Sequence, residues 1–250
     1  MALKKIYCRV FQACFGLGAR LLPWRRPTCI AGAGSLQRLP ELLKSAGCHK
    51  PMIVASRRQC DALTHAVEAY TNVLYNTRQT RELARQAVAA IFEYLPRACA
   101  DGTDLRARQE MLTASYRAGF AFTRASVGNV HALAHTLGGL YNVLHGRANA
   151  VLLPVMLEAY GPAACKRLAE LADVLGLCPA GSRAEKARAF IDAIYRMNRA
   201  LGIPERFPCI RPEDLPQMAA WAEAEANPVY PVPVIFGKED FIRVARRVMP

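Results

Sequence analysis

The 250-residue sequence has nine cysteines but not one Cys-x-x-Cys pair, and their number is odd. A thiolate zinc site and a paired disulfide framework therefore lack their usual signature, and a reducing, cytoplasmic setting is the simplest reading. Long apolar runs are missing too: none reaches the roughly 18 residues that suggest a membrane span. Acids are nearly absent from the first 60 positions, where Glu41 alone faces eleven Lys and Arg, so that stretch carries +10 of the formal net charge of +13. Histidine is scarce, with five in all. Beyond Asp61 there is no clear strand pattern, and neither internal repeats nor low-complexity tracts occur anywhere.

What is present is ordered globular sequence, 52% hydrophobic and 21% charged. The basic excess at the start can mark a nucleic-acid or membrane-binding arm. Here, however, the bases from Lys4 to Arg26 flank Ile6, Val10, Phe11, Phe15, Leu17, Leu21 and Leu22 at helical spacing. Residues 1–26 thus predict an amphipathic helix, packed or lying at a surface, with no nucleic-acid partner. Arg9 interrupts the apolar stretch and Trp24-Arg25-Arg26-Pro27 is a poor cleavage region, so a secretory signal is not expected.

After this helix, "TCIAGAGS" (28–35) reads as a short strand entering a Gly turn. "SLQRLPELLKSAG" (35–47) reads as a helix capped by Ser35 and ended by Gly47, and "KPMIVAS" (50–56) as a second strand. Strand, helix, strand begins an α/β unit, yet two strands make no stable sheet. From Asp61 the sequence predicts helices near 61–75, 79–98, 104–122, 129–141, 146–159, 162–176, 183–201, 213–226 and 238–248, most of them separated by Gly, Pro or polar residues. The fold class is mainly α with an α/β stub.

Four of the five histidines fall in two segments. "VHALAHTLGGLYNVLH" (130–145) holds His131, His135 and His145; "CDALTHAVEAY" (60–70) holds His65, four residues after Asp61. One histidine on an apolar face is usually a satisfied core residue. Two Asp/His-x-x-x-His pairs, each on one helical face, read instead as oxygen and nitrogen ligands for Fe²⁺, Zn²⁺ or Mn²⁺.

The same segments carry a family resemblance. "DALTHAVEAY" followed by "AGFAF" and "GNVHALAHTLGGLYNVLHGRANAVLLP" (to 154) resembles the signature of the iron-containing, group III alcohol dehydrogenases. "EANPVYPVPVIFGKEDF" (225–241) extends the similarity, and the N-terminal "LLPWRRP" and "GAGSLQRLPELLKSAG" resemble a bacterial subgroup. The resemblance implies a C-terminal all-helical metal-binding domain of the dehydroquinate-synthase-like fold over 57–250, after a truncated α/β remnant at 27–56. It implies Asp61, His65, His131 and His145 as ligands of Fe²⁺ or Zn²⁺, with His135 beside the nicotinamide of NAD or NADP as a proton relay. Phe122 corresponds to a position near the substrate channel, and Gly138, Gly139 and Gly146 are expected to permit close backbone approach. The implied reaction is hydride transfer between a small alcohol or aldehyde and NAD(P), in a chain with no membrane span that can form a homo-oligomer.

The sequence also departs from that family. Its members carry a long dinucleotide-binding domain with a Gly-Gly-Gly-Ser loop, whereas "HKPMIV" (49–54) here gives way to "DALTHAVEAY" within a few residues. Gly32-Ala33-Gly34 lacks the third glycine of the dinucleotide fingerprint. A metal-binding remnant without dinucleotide binding is therefore the alternative, with a metal-dependent hydrolase behind it.

Overall fold

The computed structural model describes residues 2–21, 35–45 and 60–250. In chain order its helices are α1 (Ala2–Leu21), α2 (Leu39–Ser45), α3 (Cys60–Thr71), α4 (Arg78–Ala100), α5 (Leu105–Ala125), α6 (Asn129–Tyr141), α7 (His145–Tyr160), α8 (Pro162–Val174), α9 (Arg183–Ala200), α10 (Leu215–Ala226) and α11 (Lys238–Arg247). Short 3₁₀ turns at Ser35–Arg38 and Pro212–Asp214 lead into α2 and α10. Among the described residues there is no β-strand. The strands expected at 28–35 and 50–56 fall outside the described residues except for Ser35, which opens the first 3₁₀ turn. The Gly47 cap also lies outside them.

The helix ends follow local chemistry. Thr77 and Thr80 exchange side-chain and backbone hydrogen bonds at the start of α4, Ser182 and Glu185 do the same for α9, and Asp104 accepts from the Ala107 N–H at the start of α5. These caps satisfy amide groups that the first turn leaves unpaired. Past the ends of α8 and α9, Gly176 and Gly202 adopt φ of 66° and 68°, where a side chain would be strained.

α3 lies at the centre, packed against α4, α5, α7 and α8, while α6 lies between α7 and α10. Close packing is achieved with small residues: Ala66, Ala84, Ala87, Ala114, Ala118 and Ala121 are fully buried. Short side chains at the crossings bring the helix axes together. Larger residues such as Leu133, Leu152, Met156 and Phe190 fill the remaining core.

α1 docks through its polar side. The side it buries is small and polar: Cys8, Gln12 and Gly16. Gln12 donates to the carbonyls of Pro228 and Tyr230 at 2.9 and 2.8 Å, and Arg9 to those of Val232 and Pro233 at 2.8 and 3.0 Å. Cys8 packs with Val232 and Ile235, and Gly16 lets the helix approach Tyr75. The expected apolar pattern of Ile6, Val10, Phe15, Leu17 and Leu21 is real but faces mostly outward. The reason is chemical: the 228–235 loop presents unpaired carbonyls, which only polar groups can satisfy. Leu22 lies outside the described residues.

Candidate metal centre

The site is built where α3, α6 and α7 meet. Asp61 and His65 stand one turn apart on α3, His131 and His135 one turn apart on α6, and His145 is the first residue of α7. Between α6 and α7 the chain turns through Asn142 at φ 51°, a residue type that tolerates the left-handed region.

α3 itself sets the entry to α6. Asn72, just past its end, donates to the carbonyls of Ala125, Ser126 and Val127 at 2.9, 2.9 and 3.1 Å, which holds the turn after α5. Glu68, 2% exposed, accepts the N–H groups of Gly128 and Val130, both at 2.8 Å. An anion at a helix N-terminus satisfies free amides and the helix dipole together. Gly128 is needed here, because a Cβ would lie 2.8 Å from Glu68 Oε1. The expected role of glycine does not extend to Gly139, which has open space, or to Gly138 and Gly146, where a Cβ would make ordinary contacts at 3.8 and 3.7 Å.

Glu68 also reaches the His131 ring, its Oε2 lying 2.5 Å from Nδ1. A carboxylate only accepts, so Nδ1 carries the hydrogen and Nε2 faces the other ligand candidates. A carboxylate fixing the orientation of a ligating imidazole is a recurrent feature of metal sites.

Asp61 Oδ1 lies 3.6 Å from His131 Nε2 and 3.5 Å from His145 Nε2. These three residues form a group whose ligand atoms all lie within 4.8 Å of one another. The Asn149 amide nitrogen sits among them, 2.6 Å from Asp61 Oδ1, 3.0 Å from His145 Nε2 and 3.2 Å from His131 Nε2. Its own buried Oδ1 has no partner. Nitrogen and oxygen donors converging on one point, next to an orphaned carbonyl oxygen, suit a divalent cation of the Fe²⁺ or Zn²⁺ type. His65 adjoins this group without joining it: its Nδ1 is 3.8 Å from Asp61 Oδ2, and its ring stacks on His131 at 4.5 Å and on Phe122 at 4.1 Å.

His135 is turned to one side. Its ring stacks on His145 at 5.1 Å, and its Nδ1 lies 2.8 Å from Glu225 Oε1. Tyr230 donates to the same oxygen at 2.8 Å. Nδ1 is therefore the protonated nitrogen, which leaves Nε2 as a base. Phe122, half-buried, stacks its ring on His65 at 4.1 Å.

The cluster polarises its own members. Burial acts to raise the Asp61 carboxyl, but the His131 bond, the charges of His65 and His145 and the Asn149 bond hold it well below the usual carboxylate range. Burial pushes His65 down to about 4 despite Asp61. For His131 burial is overcome by the charge of Glu68 and bonds to Asp61 and Glu68, which push the imidazole up to about 9. Burial and the neighbouring imidazoles lower His145 against the pull of Asp61.

Glu68, Glu225 and Tyr230 were not singled out from the sequence, and Asn149 entered only as a residue of the matched motif. Glu68 had a signal: it lies seven residues after Asp61 and three after His65, on the same face of α3. Glu225 had none, being distant in sequence from any histidine.

With this geometry in view, the helical domain carries a candidate divalent-metal centre of acid and histidine donors. Residues 57–249 match the model of the Fe-containing alcohol dehydrogenase family, C-terminal, and the chain belongs to that family. It is 41% identical over 181 residues to 1,3-propanediol dehydrogenase of Klebsiella pneumoniae, covering 71% of this chain and 46% of that protein. It is 38% identical over 201 residues to alcohol dehydrogenase 4 of Saccharomyces cerevisiae, covering 79% and 51%. Among solved structures, a 1,3-propanediol oxidoreductase superposes with a TM-score of 0.72 at 37% identity, covering 76% of this chain and 50% of that one. An alcohol dehydrogenase from Oenococcus oeni superposes with a TM-score of 0.72 at 34% identity, with the same coverage. The chain thus spans about half the length of the relatives it matches.

Proposed function

We propose that this chain carries the metal-binding catalytic half of an alcohol dehydrogenase that interconverts a small alcohol and its aldehyde or ketone with NAD or NADP. The observation that carries the reading is the convergence of Asp61 Oδ1, His131 Nε2 and His145 Nε2 around the Asn149 amide, with His135 beside them. Asp61, His131 and His145 would hold Fe²⁺ or Zn²⁺, with the adjoining His65 as the fourth ligand. Such an ion supplies Lewis-acid polarisation of the alcohol or carbonyl oxygen. Glu68 keeps His131 Nε2 aimed at the centre, and Asn149 bridges α7 to Asp61. His135 Nε2, left basic because Glu225 occupies Nδ1, takes the alcohol proton in one direction and returns it in the other. Phe122, stacked on His65, limits the space on the substrate side.

A second reading has its own support. The family match begins at residue 57, and residues 27–56 lack the Gly-Gly-Gly-Ser loop that the family resemblance implies. On that ground this chain binds the metal ion but handles dinucleotide weakly. We assign residues 1–26 to a separate helix, 27–56 to the remnant and 57–250 to the helical domain, and place the protein in the cytoplasm. No helix among the described residues is long and apolar enough to cross a membrane.

Metal analysis of the purified protein, followed by alcohol oxidation assayed with NAD and NADP, tests both readings. One ion per chain with turnover supports the dehydrogenase. One ion without turnover supports the remnant, and a chain that takes up no ion overturns both.

A further inference from the structure

We infer that α1 is a membrane-surface anchor that seats its outward apolar face in an anionic lipid bilayer without crossing it. The observation is a segregation within one helix. Cys8, Gln12 and Gly16 face the protein and are buried, and Arg9 is bonded to the 228–235 loop. On the other side Leu3, Ile6, Tyr7, Val10, Leu17 and Leu21 are exposed, with Leu3 at 83%, Leu17 at 64% and Leu21 at 82%. Their spacing of three, one, three, seven and four residues confines them to an arc of about 100° on a helix of 3.6 residues per turn. This is the largest set of exposed large apolar residues among the described ones, since those elsewhere are scattered singly.

The charge on the helix selects the occupant. α1 carries Lys4, Lys5, Arg9 and Arg20 and no acid. Lys4 pairs with Glu223 at 2.7 Å and Arg9 with the 228–235 loop, which leaves Lys5 and Arg20 exposed; at 100° per residue Arg20 borders the apolar arc, at the depth of phospholipid headgroups. A second copy is a poorer occupant, because self-pairing would bring two acid-free basic helices together. α1 is too polar to span, and the protein-facing hydrogen bonds of Gln12 and Arg9 keep it docked while its outer face is buried in lipid.

Co-sedimentation of the full chain with vesicles tests this. Binding is expected to vesicles of phosphatidylcholine with phosphatidylglycerol, to weaken with salt, and to be slight on phosphatidylcholine alone. The triple variant Leu3→Ser, Val10→Ser, Leu17→Ser should partition about tenfold less, and Lys5→Glu with Arg20→Glu should weaken the anionic preference. All five positions are exposed, so an unchanged circular dichroism melt is expected and confirms that folding is intact. Absence of vesicle binding by the parent chain overturns the inference. So does undiminished binding by the folded triple variant. Analytical ultracentrifugation showing dimers that the triple variant abolishes, without vesicle binding, gives the face to a second copy and likewise overturns it.

Discussion

Glu225 Oε1 lies 2.8 Å from His135 Nδ1 and accepts the Tyr230 hydroxyl at the same distance, so a residue 90 positions away decides which nitrogen of His135 is free. The loop bearing Tyr230 is in turn held by Gln12 of α1. Replacing Glu225 with leucine should release the ring to the Nε2–H tautomer that free imidazole prefers, while Glu225→Gln, whose amide oxygen still accepts, should retain Nδ1–H. Tautomer-sensitive nitrogen NMR of the zinc-loaded or metal-free protein reads this directly. An unchanged His135 signal in the leucine variant would show that Glu225 does not set the tautomer.

The ligand assignment separates His131 from His135. His131→Ala should abolish stoichiometric metal binding, whereas His135→Ala should leave metal content intact and depress only turnover, by about 10²–10⁴-fold if the ring acts as general acid and base. Equal metal loss in the two variants, measured by elemental analysis, would mean that the two rings share one role.

Glu68 offers a sharper test because it is nearly the same size as glutamine. In Glu68→Gln one amide nitrogen must face an N–H donor, either that of His131 or those at the start of α6. An unsatisfied buried donor costs about 1–3 kcal/mol of stability. Loss of the carboxylate behind His131 should weaken metal binding roughly 10–100-fold. Chemical denaturation and competition with a metal-chelating dye measure the two effects separately.

The metal-free protein should be most stable near pH 6.5. His131 is raised to about 9, so its contribution is complete below the unfolded value and is lost as pH rises through about 9. His65 is lowered to about 4, so folding resists its protonation and stability falls as pH drops from 6.5 toward 4. Each limb is worth up to about 3 kcal/mol at 1.36 kcal/mol per unit. Metal binding must displace the His131 proton, so apparent affinity should rise with pH up to about 9. Thermal melts and metal titrations at several pH values check both limbs, and a flat profile of the metal-free protein would remove the coupling argued for this cluster.

On the second reading, calorimetric titration of the metal-loaded chain with NADH and NADPH gives millimolar or weaker affinity. Losing several phosphate contacts at roughly 1.5–3 kcal/mol each lowers a micromolar constant by three or more decades. Micromolar binding would show that residues 1–56 suffice and would favour the plain dehydrogenase.

Much of this protein was legible in its sequence because the signals are local. Helix ends are announced by Thr77, Asp104, Ser182, Gly176 and Gly202, whose effects act within one turn, and α6 begins and ends at the expected residues 129 and 141. Asp61 and His65, like His131 and His135, declare a shared face through four-residue spacing. The placement of His145 beside them came from a family resemblance, since no periodicity links it to α6. What tertiary structure decided was every relationship between helices. Burial of Glu68 behind His131, the Asn149 amide at the centre of the ligand group, and the hold of Glu225 on His135 all depend on distances set by packing, which sequence separation does not encode. The orientation of α1 was decided in the same way. Its amphipathic pattern gives two faces, and the pattern alone favours burying leucine and valine. The unpaired carbonyls of the 228–235 loop drew in Gln12 and Arg9 instead, because a buried polar backbone without a partner costs more than an apolar side chain left exposed.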